Sequence, residues 1–216
     1  MAQVSLRDPA DARVAVVDYG MGNLRSVGKI VSRTGADVRV SSDVADLEWA
    51  THLILPGVGA FPDAMRELNR RGLVEALGRI VREKGKPILG ICLGMQLLCR
   101  FSPEVVDTQG LGWIAADMVP FPKSSGLRVP HIGWNQLQVK SADPLVEGIA
   151  DGSFFYFVHS LHMVCDRAQD VLATSSYGDE FVAAVRSGNV RGTQFHPEKS
   201  QANGFRMLLN YVTEVE

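Results

Sequence analysis

Cys92 stands in Gly90-Ile91-Cys92-Leu93-Gly94, between an apolar run and an amphipathic one. A residue on so sharp a strand-to-helix turn is held in a strained backbone conformation. Glycines two positions to either side remove the side chains that would collide there. A thiol at a helix N-terminus faces free N–H groups and the positive end of the helix dipole, both of which favour the thiolate. The N–H of Leu93 would point at an oxyanion developing on an attacked carbonyl. The competing reading is a small buried hydrophobe beside packing glycines, which is how Cys99 and Cys165 read.

A thiolate nucleophile needs an acid/base partner, and that partner needs a group to fix its tautomer. Of five histidines, His196 has the best context, in Gln194-Phe195-His196-Pro197-Glu198 just after a β-type run. Residues two apart on an extended segment project to one side, so Glu198 can reach the His196 ring, and Pro197 forbids a helix between them. Alone, this tripeptide reads equally well as a solvated surface turn. His52 reads as structural. His159 and His162, around Ser160 and Leu161, could line a pocket or sit satisfied at a strand edge. His131 belongs to Pro130-His131-Ile132-Gly133-Trp134-Asn135, distinctive in composition but given no chemistry by spacing.

Pro56-Gly57-Val58-Gly59 lies between a strand and a helix, where glycines let backbone N–H groups approach a substrate closely as a second half of an oxyanion hole. A phosphate loop is the rival, since Gly20-Met21-Gly22 also follows a strand. Neither stretch completes GxGxxG or GxxxxGK[ST], which disfavours a nucleotide site.

The elements that must position these groups alternate through the first half. Strands are expected at Arg13–Asp18, Asp37–Val40, Leu53–Leu55 and Pro87–Ile91. Helices are expected after Asn23 as cap, along one stripe from Met65 to Val81, and over Leu93–Arg100. This pattern predicts an α/β fold with a parallel sheet covered on both faces. From Gly112 to Phe195 the runs turn β-type (Leu127–Ile132, Gln136–Val139, Phe154–Val158, Val171–Ser175, Phe181–Arg186 and Val190–Phe195), predicting an antiparallel extension. A last helix carries Phe205, Leu208, Leu209 and Val212 inward, with Ser200 as its cap. One domain over 13–216 is expected, after a polar tail at 1–12.

Composition sets the outer bounds. The 216 residues carry a net charge of −2, with 46% hydrophobic side chains. That balance gives no electrostatic reason to expect nucleic acid or a membrane surface, and no apolar run approaches the roughly 20 residues of a span. Three cysteines without CxxC argue against a disulfide framework or structural zinc, and point to a reducing cytoplasm.

Taken together in chain order, Pro56–Gly59, Gly90-Ile91-Cys92-Leu93-Gly94-Met95-Gln96 and His196-Pro197-Glu198 resemble the class I glutamine amidotransferase family. The opening Asp18-Tyr19-Gly20-Met21-Gly22-Asn23, the PGVG form of the loop, the Pro130–Asn135 block and Phe195-His196-Pro197-Glu198-Lys199-Ser200 resemble its branch of imidazole glycerol phosphate synthase glutaminase subunits. The resemblance spans Arg13 to Val212. It implies the family's flavodoxin-like fold and hydrolysis of L-glutamine to glutamate and ammonia, without metal or cofactor. Cys92 would be the nucleophile, His196 the acid/base and Glu198 its orienter. Leu93, Gly57, Val58 and Gly59 would form the oxyanion hole, and Gln96, His159 and Ser160 would hold glutamine. It further implies a (β/α)₈ cyclase as heterodimer partner, fed with ammonia through an internal passage. Tyr19, Asn23, Pro130, His131, Trp134 and Asn135 are the expected interface and gating residues. Other glutaminases (anthranilate, guanylate, purine), a cysteine peptidase or γ-glutamyl hydrolase on the same elbow, and an inert binding protein are the alternatives.

Overall fold

Short, β-branched apolar runs form the strands at the centre of the computed structural model, which describes residues 8–122 and 126–214. In chain order the first strands are β1 (Arg13–Val17), β2 (Asp37–Ser41), β3 (His52–Gly57), β4 (Ile88–Cys92), β5 (Phe101–Ser102), β6 (Thr108–Gln109) and β7 (Ala116–Pro120). Then follow β8 (His131–Gln136), β9 (Gln138–Val139), β10 (Phe154–His159), β11 (Leu161–Cys165), β12 (Val171–Tyr177), β13 (Asp179–Ser187) and β14 (Val190–Thr193). The helices are α1 (Leu24–Ser32), α2 (Val44–Trp49), α3 (Phe61–Arg70), α4 (Leu73–Leu77), α5 (Leu93–Gln96) and α6 (Gln201–Thr213).

The main sheet runs β2-β1-β3-β4-β14-β13-β11-β7-β5-β6, with β12 and β9 joined through β13. Its first five strands are parallel, and their order is that of a flavodoxin-like doubly wound sheet. From β14 onward, pairing with β13, β11 and β7 is antiparallel. β8 and β10 form a separate antiparallel ribbon. The expected mixed architecture is therefore present.

Side chains alternating along β1 feed two cores. Ala15 and Val17 pack with Leu68, Leu73 and Leu77 of α3 and α4, while Val14 and Val16 pack with Val27, Val31, Met207 and Leu208 of α1 and α6. Burial of both faces explains why the strands read as continuous apolar runs. Behind β14, the buried Arg191 guanidinium bonds Asp143 and Glu214, tying the end of α6 to the sheet.

Several boundaries differ from expectation for local reasons. The stripe from Met65 to Val81 is not one helix. Gly72 turns at φ 67° between α3 and α4, and Gly78–Glu83 is a wider π turn. The helix after Cys92 stops at Gln96, because the carbonyls of Leu97, Leu98 and Cys99 accept N–H groups from residues 111–114. Helix α2 carried no long apolar stripe; the Asp43 side chain caps it at Ala45 N. Neither Asn23 nor Ser200 caps a helix through its side chain. The run expected at Leu127–Ile132 becomes strand only from His131. Of the polar tail, residues 1–7 lie outside the described residues; Pro9–Asp11 forms one 3₁₀ turn capped by Asp8.

The tightest packing surrounds Cys92. A Cβ on Gly94 would sit 1.7 Å from the Leu55 carbonyl oxygen, and one on Gly90 would sit 2.6 Å from the Gly94 oxygen. Helix α5 is thus laid directly on the backbones of β3 and β4. Gly94→Ala is expected to destabilise the protein by about 3 kcal/mol or more, read as a loss of thermal midpoint, because backbone has no rotamer with which to yield.

Candidate active site

Cys92 ends β4 and begins α5 with φ 53° and ψ −110°, a conformation that costs a non-glycine residue of order 1–3 kcal/mol. The strain is held by the contacts just described and by the register of β4 against β3, which sets Cys92 beside Gly57. Cys92 is 6% exposed, so its thiol is reached only through a cleft. Leu93 N–H is the first of the helix and has no acceptor within it. The carboxyl ends of β3, β4 and β14 meet here, where open α/β sheets place their sites.

His196 follows the end of β14, and its Nδ1 is 2.8 Å from Glu198 Oε1. Both side chains are 1% exposed. The segment is not extended as expected: Pro197, whose fixed φ suits a first helical position, opens a single 3₁₀ turn, Pro197–Lys199, and Glu198 reaches the His196 ring from within that turn. The surrounding backbone is fixed by three bonds. His196 N donates to the Tyr156 carbonyl, Ser200 Oγ donates to the His196 carbonyl, and Tyr156 N donates to Ser200 Oγ. Ser200 therefore serves the site in place of the helix cap it was expected to be.

The pKa of His196 is set by opposing effects. Burial lowers it, but interaction with Cys92 and then with Glu198 outweighs burial and raises it to about 9. Nε2 is buried without a hydrogen bond of ordinary geometry, which leaves that nitrogen for the thiol and for a reacting group. A ring that binds its proton this tightly is imidazolium at neutral pH, with the Glu198 carboxylate bonded to it at 2.8 Å. The other thiols are different. Burial pushes Cys99 and Cys165 up to about 12, keeping both protonated.

A cavity of about 250 Å³ opens over the thiol, lined by Cys92, Leu93, Val58, Gly59, Gln96, Glu104, Ser160 and His196 among others. It is smaller than pockets for drug-sized ligands, roughly 300–1,000 Å³, in keeping with a single amino acid. Val58 and Gly59 line it, whereas Gly57 lies beneath, a Cβ there falling 2.5 Å from the Tyr19 hydroxyl. Gln96 is buried, with Nε2 donating to Gln194 Oε1 at 3.1 Å. Sequence reading missed Glu104, whose Oε2 accepts the first N–H of α3 from Phe61 at 2.6 Å. It stands on an irregular loop with no spacing signal to mark it.

The residues expected at an interface divide. Tyr19 is wholly enclosed within this chain; burial raises its phenol pKa and the nearby Cys92 adds to the rise. Asn23 turns inward instead, Nδ2 donating to Glu198 Oε1 at 3.4 Å. His131 is also buried. Asn135 Nδ2 donates to His131 Nε2, His131 Nδ1 to His159 Nε2, and His159 Nδ1 to the Leu161 carbonyl. That direction is the one consistent with the amide and carbonyl ends, and burial holds both rings neutral by lowering His131 to about 4 and His159 to about 3. Both nitrogens of His159 are therefore engaged, and its ring builds the pocket wall without offering a ligand a nitrogen. Pro130 and Trp134 remain exposed, and Asn135 half-buried.

The His196 ring is expected to titrate near pH 9 in nitrogen-15 spectra, protonated below that value and neutral above it. Glu198→Gln removes one of the two raising interactions, so the midpoint must fall. A midpoint near the ordinary 6.5 in the unaltered protein would contradict the ion-pair description.

The profile of the glutamine amidotransferase class-I family matches residues 15–214. The chain is 49% identical to imidazole glycerol phosphate synthase subunit HisH of Methanosarcina barkeri, covering 93% of this chain and 98% of that protein. It is 46% identical to the HisH subunit of Aquifex aeolicus, covering 94% and 98%. Among solved structures it superposes on PurLQS from Thermotoga maritima with TM-score 0.70 at 21% identity, covering 93% and 97%, a likeness of fold. The chain belongs to the class-I glutamine amidotransferase family, in its HisH branch.

Proposed function

We propose that this chain is the glutaminase subunit of an imidazole glycerol phosphate synthase, hydrolysing L-glutamine and passing ammonia to a cyclase partner in histidine biosynthesis. The observation that carries the chemistry is the strained Cys92 at a β4–α5 elbow beside a His196–Glu198 pair bonded at 2.8 Å. The thiolate of Cys92 attacks the side-chain amide carbon of glutamine. His196, protonated at neutral pH, gives its proton to the departing nitrogen, so ammonia leaves and a glutamyl thioester remains. The neutral ring then takes a proton from water as it attacks the thioester, releasing glutamate and regenerating the thiolate. Glu198 holds the ring in one tautomer throughout.

Leu93 N–H and the Val58–Gly59 backbone are the oxyanion donors in this reading, with Gly57 holding the loop close to Leu93. Gln96 and the Ser160 backbone position the glutamine α-groups. The Glu104 carboxylate, on the cavity wall, is the group suited to an α-ammonium.

An exposed apolar strip supports a protein partner. Ile132 and Trp134 on β8 and Phe154 on β10 are each about half exposed. They lie on the ribbon whose Val158 also lines the cavity. Ammonia released into bulk water would become ammonium and lose its nucleophilicity, so a partner closing over this strip is what the chemistry requires. We assign that place to a (β/α)₈ cyclase, in a cytoplasmic heterodimer.

Mixed with such a cyclase, the chain is expected to co-purify and to support glutamine-dependent formation of imidazole glycerol phosphate. Cys92→Ala should abolish the glutamine-dependent rate while leaving the partner's use of free ammonia intact. Trp134→Ala should weaken association by about 10- to 30-fold. Product formed from glutamine by the Cys92→Ala complex would overturn the mechanism, and failure of the unaltered pair to form imidazole glycerol phosphate would overturn the pathway.

A further inference from the structure

Gln194 lies between β14 and His196 and is fully enclosed. Its backbone N–H donates to the Ala183 carbonyl at 2.8 Å, so the side chain starts from a fixed root. Oε1 accepts from Gln96 Nε2 at 3.1 Å. Because that position takes a donor, the amide is oriented with its NH₂ on the other side, where Nε2 approaches Cys92 Sγ at 3.8 Å. The sulfur's other polar neighbours are the Val158 carbonyl at 3.7 Å and the His196 ring.

These contacts suit two states of the sulfur. A protonated thiol can donate to Val158. A thiolate cannot, and for a largely buried sulfur its charge needs donors, of which the His196 ring is one and the Gln194 amide a second. We propose that Gln194 is a further catalytic residue of this centre, its amide N–H donating to the Cys92 thiolate while its carbonyl oxygen fixes Gln96 on the cavity wall. The inference rests on Cys92 being the nucleophile. When the thiol proton passes to His196 Nε2, the N–H···S contact strengthens. When sulfur forms its bond to the glutamyl carbon and the C–N bond breaks, the charge leaves sulfur and the contact weakens. When water cleaves the thioester, the pair of electrons returns to sulfur and the same donor receives it. One amide thus couples the nucleophile to the residue that places the substrate.

The test is alkylation of Cys92 by iodoacetamide across pH, in the unaltered chain and in Gln194→Met and Gln194→Glu, with the modified peptide identified by mass. Gln194→Met keeps length and loses the donor; its rate at pH 7 should fall about tenfold and its profile move alkaline. Gln194→Glu, which sets a carboxylate against the thiolate, should fall further. Thermal unfolding establishes that each variant is folded. If Cys92 carries the label and neither profile moves, the role of Gln194 is overturned while the nucleophile stands. If the label falls on another cysteine, the nucleophile reading fails as well. In the unaltered protein, the Gln194 side-chain amide resonance should shift in step with the alkylation midpoint. An invariant resonance overturns the proposal however the variants fold.

Discussion

Everything at the site depends on the direct seating of α5 on the carboxyl ends of β3 and β4. Without side chains at Gly90 and Gly94, helix backbone reaches strand backbone, and Cys92 is forced to φ 53° between them. That turn points the thiol out of the sheet while the next N–H opens the helix. A relaxed turn would lose both at once. The local cost of order 1–3 kcal/mol is offset by two buried cores that fix the strands on either side.

The second requirement is electrostatic. His196 and Glu198 are removed from water almost completely, which alone would discharge the histidine. Interaction with Cys92 and with the carboxylate reverses that outcome and leaves the ring protonated at neutral pH. The partners act as a set, because removing either one lets burial pull the ring's pKa down. The His131–His159 pair shows the contrasting case. Those rings have neutral partners on a fixed hydrogen-bond path, and burial keeps them uncharged. The same residue type is thus held charged at one position and builds a neutral wall at another.

The elbow that opens α5 and the parallel strands around it were legible because their constraints are local. Glycine spacing about Cys92, the proline between His196 and Glu198, and apolar runs too continuous for a one-faced sheet all act within a few residues. Boundaries that depended on distant partners were not legible. Leu93–Arg100 reads as helix by periodicity, yet its last carbonyls are taken by a loop more than ten residues on. Asn23 and Ser200 read as caps by residue type, and each is drawn away by the His196 region, Asn23 to Glu198 and Ser200 to the His196 carbonyl.

By itself the chain determined which residues could be nucleophile, base and orienter, and that a parallel α/β sheet would carry them, since strained turns, short tripeptides and apolar periodicity are properties of neighbours in sequence. Tertiary structure alone decided the rest. It enclosed Tyr19 and His131, which the family resemblance had placed among the interface and gating residues. It brought Glu104 from an unmarked loop to the cavity wall, and it set the Gln194 amide between Gln96 and Cys92, about a hundred residues away along the chain. Such contacts arise where strands distant in sequence end side by side, and no spacing within either segment records them.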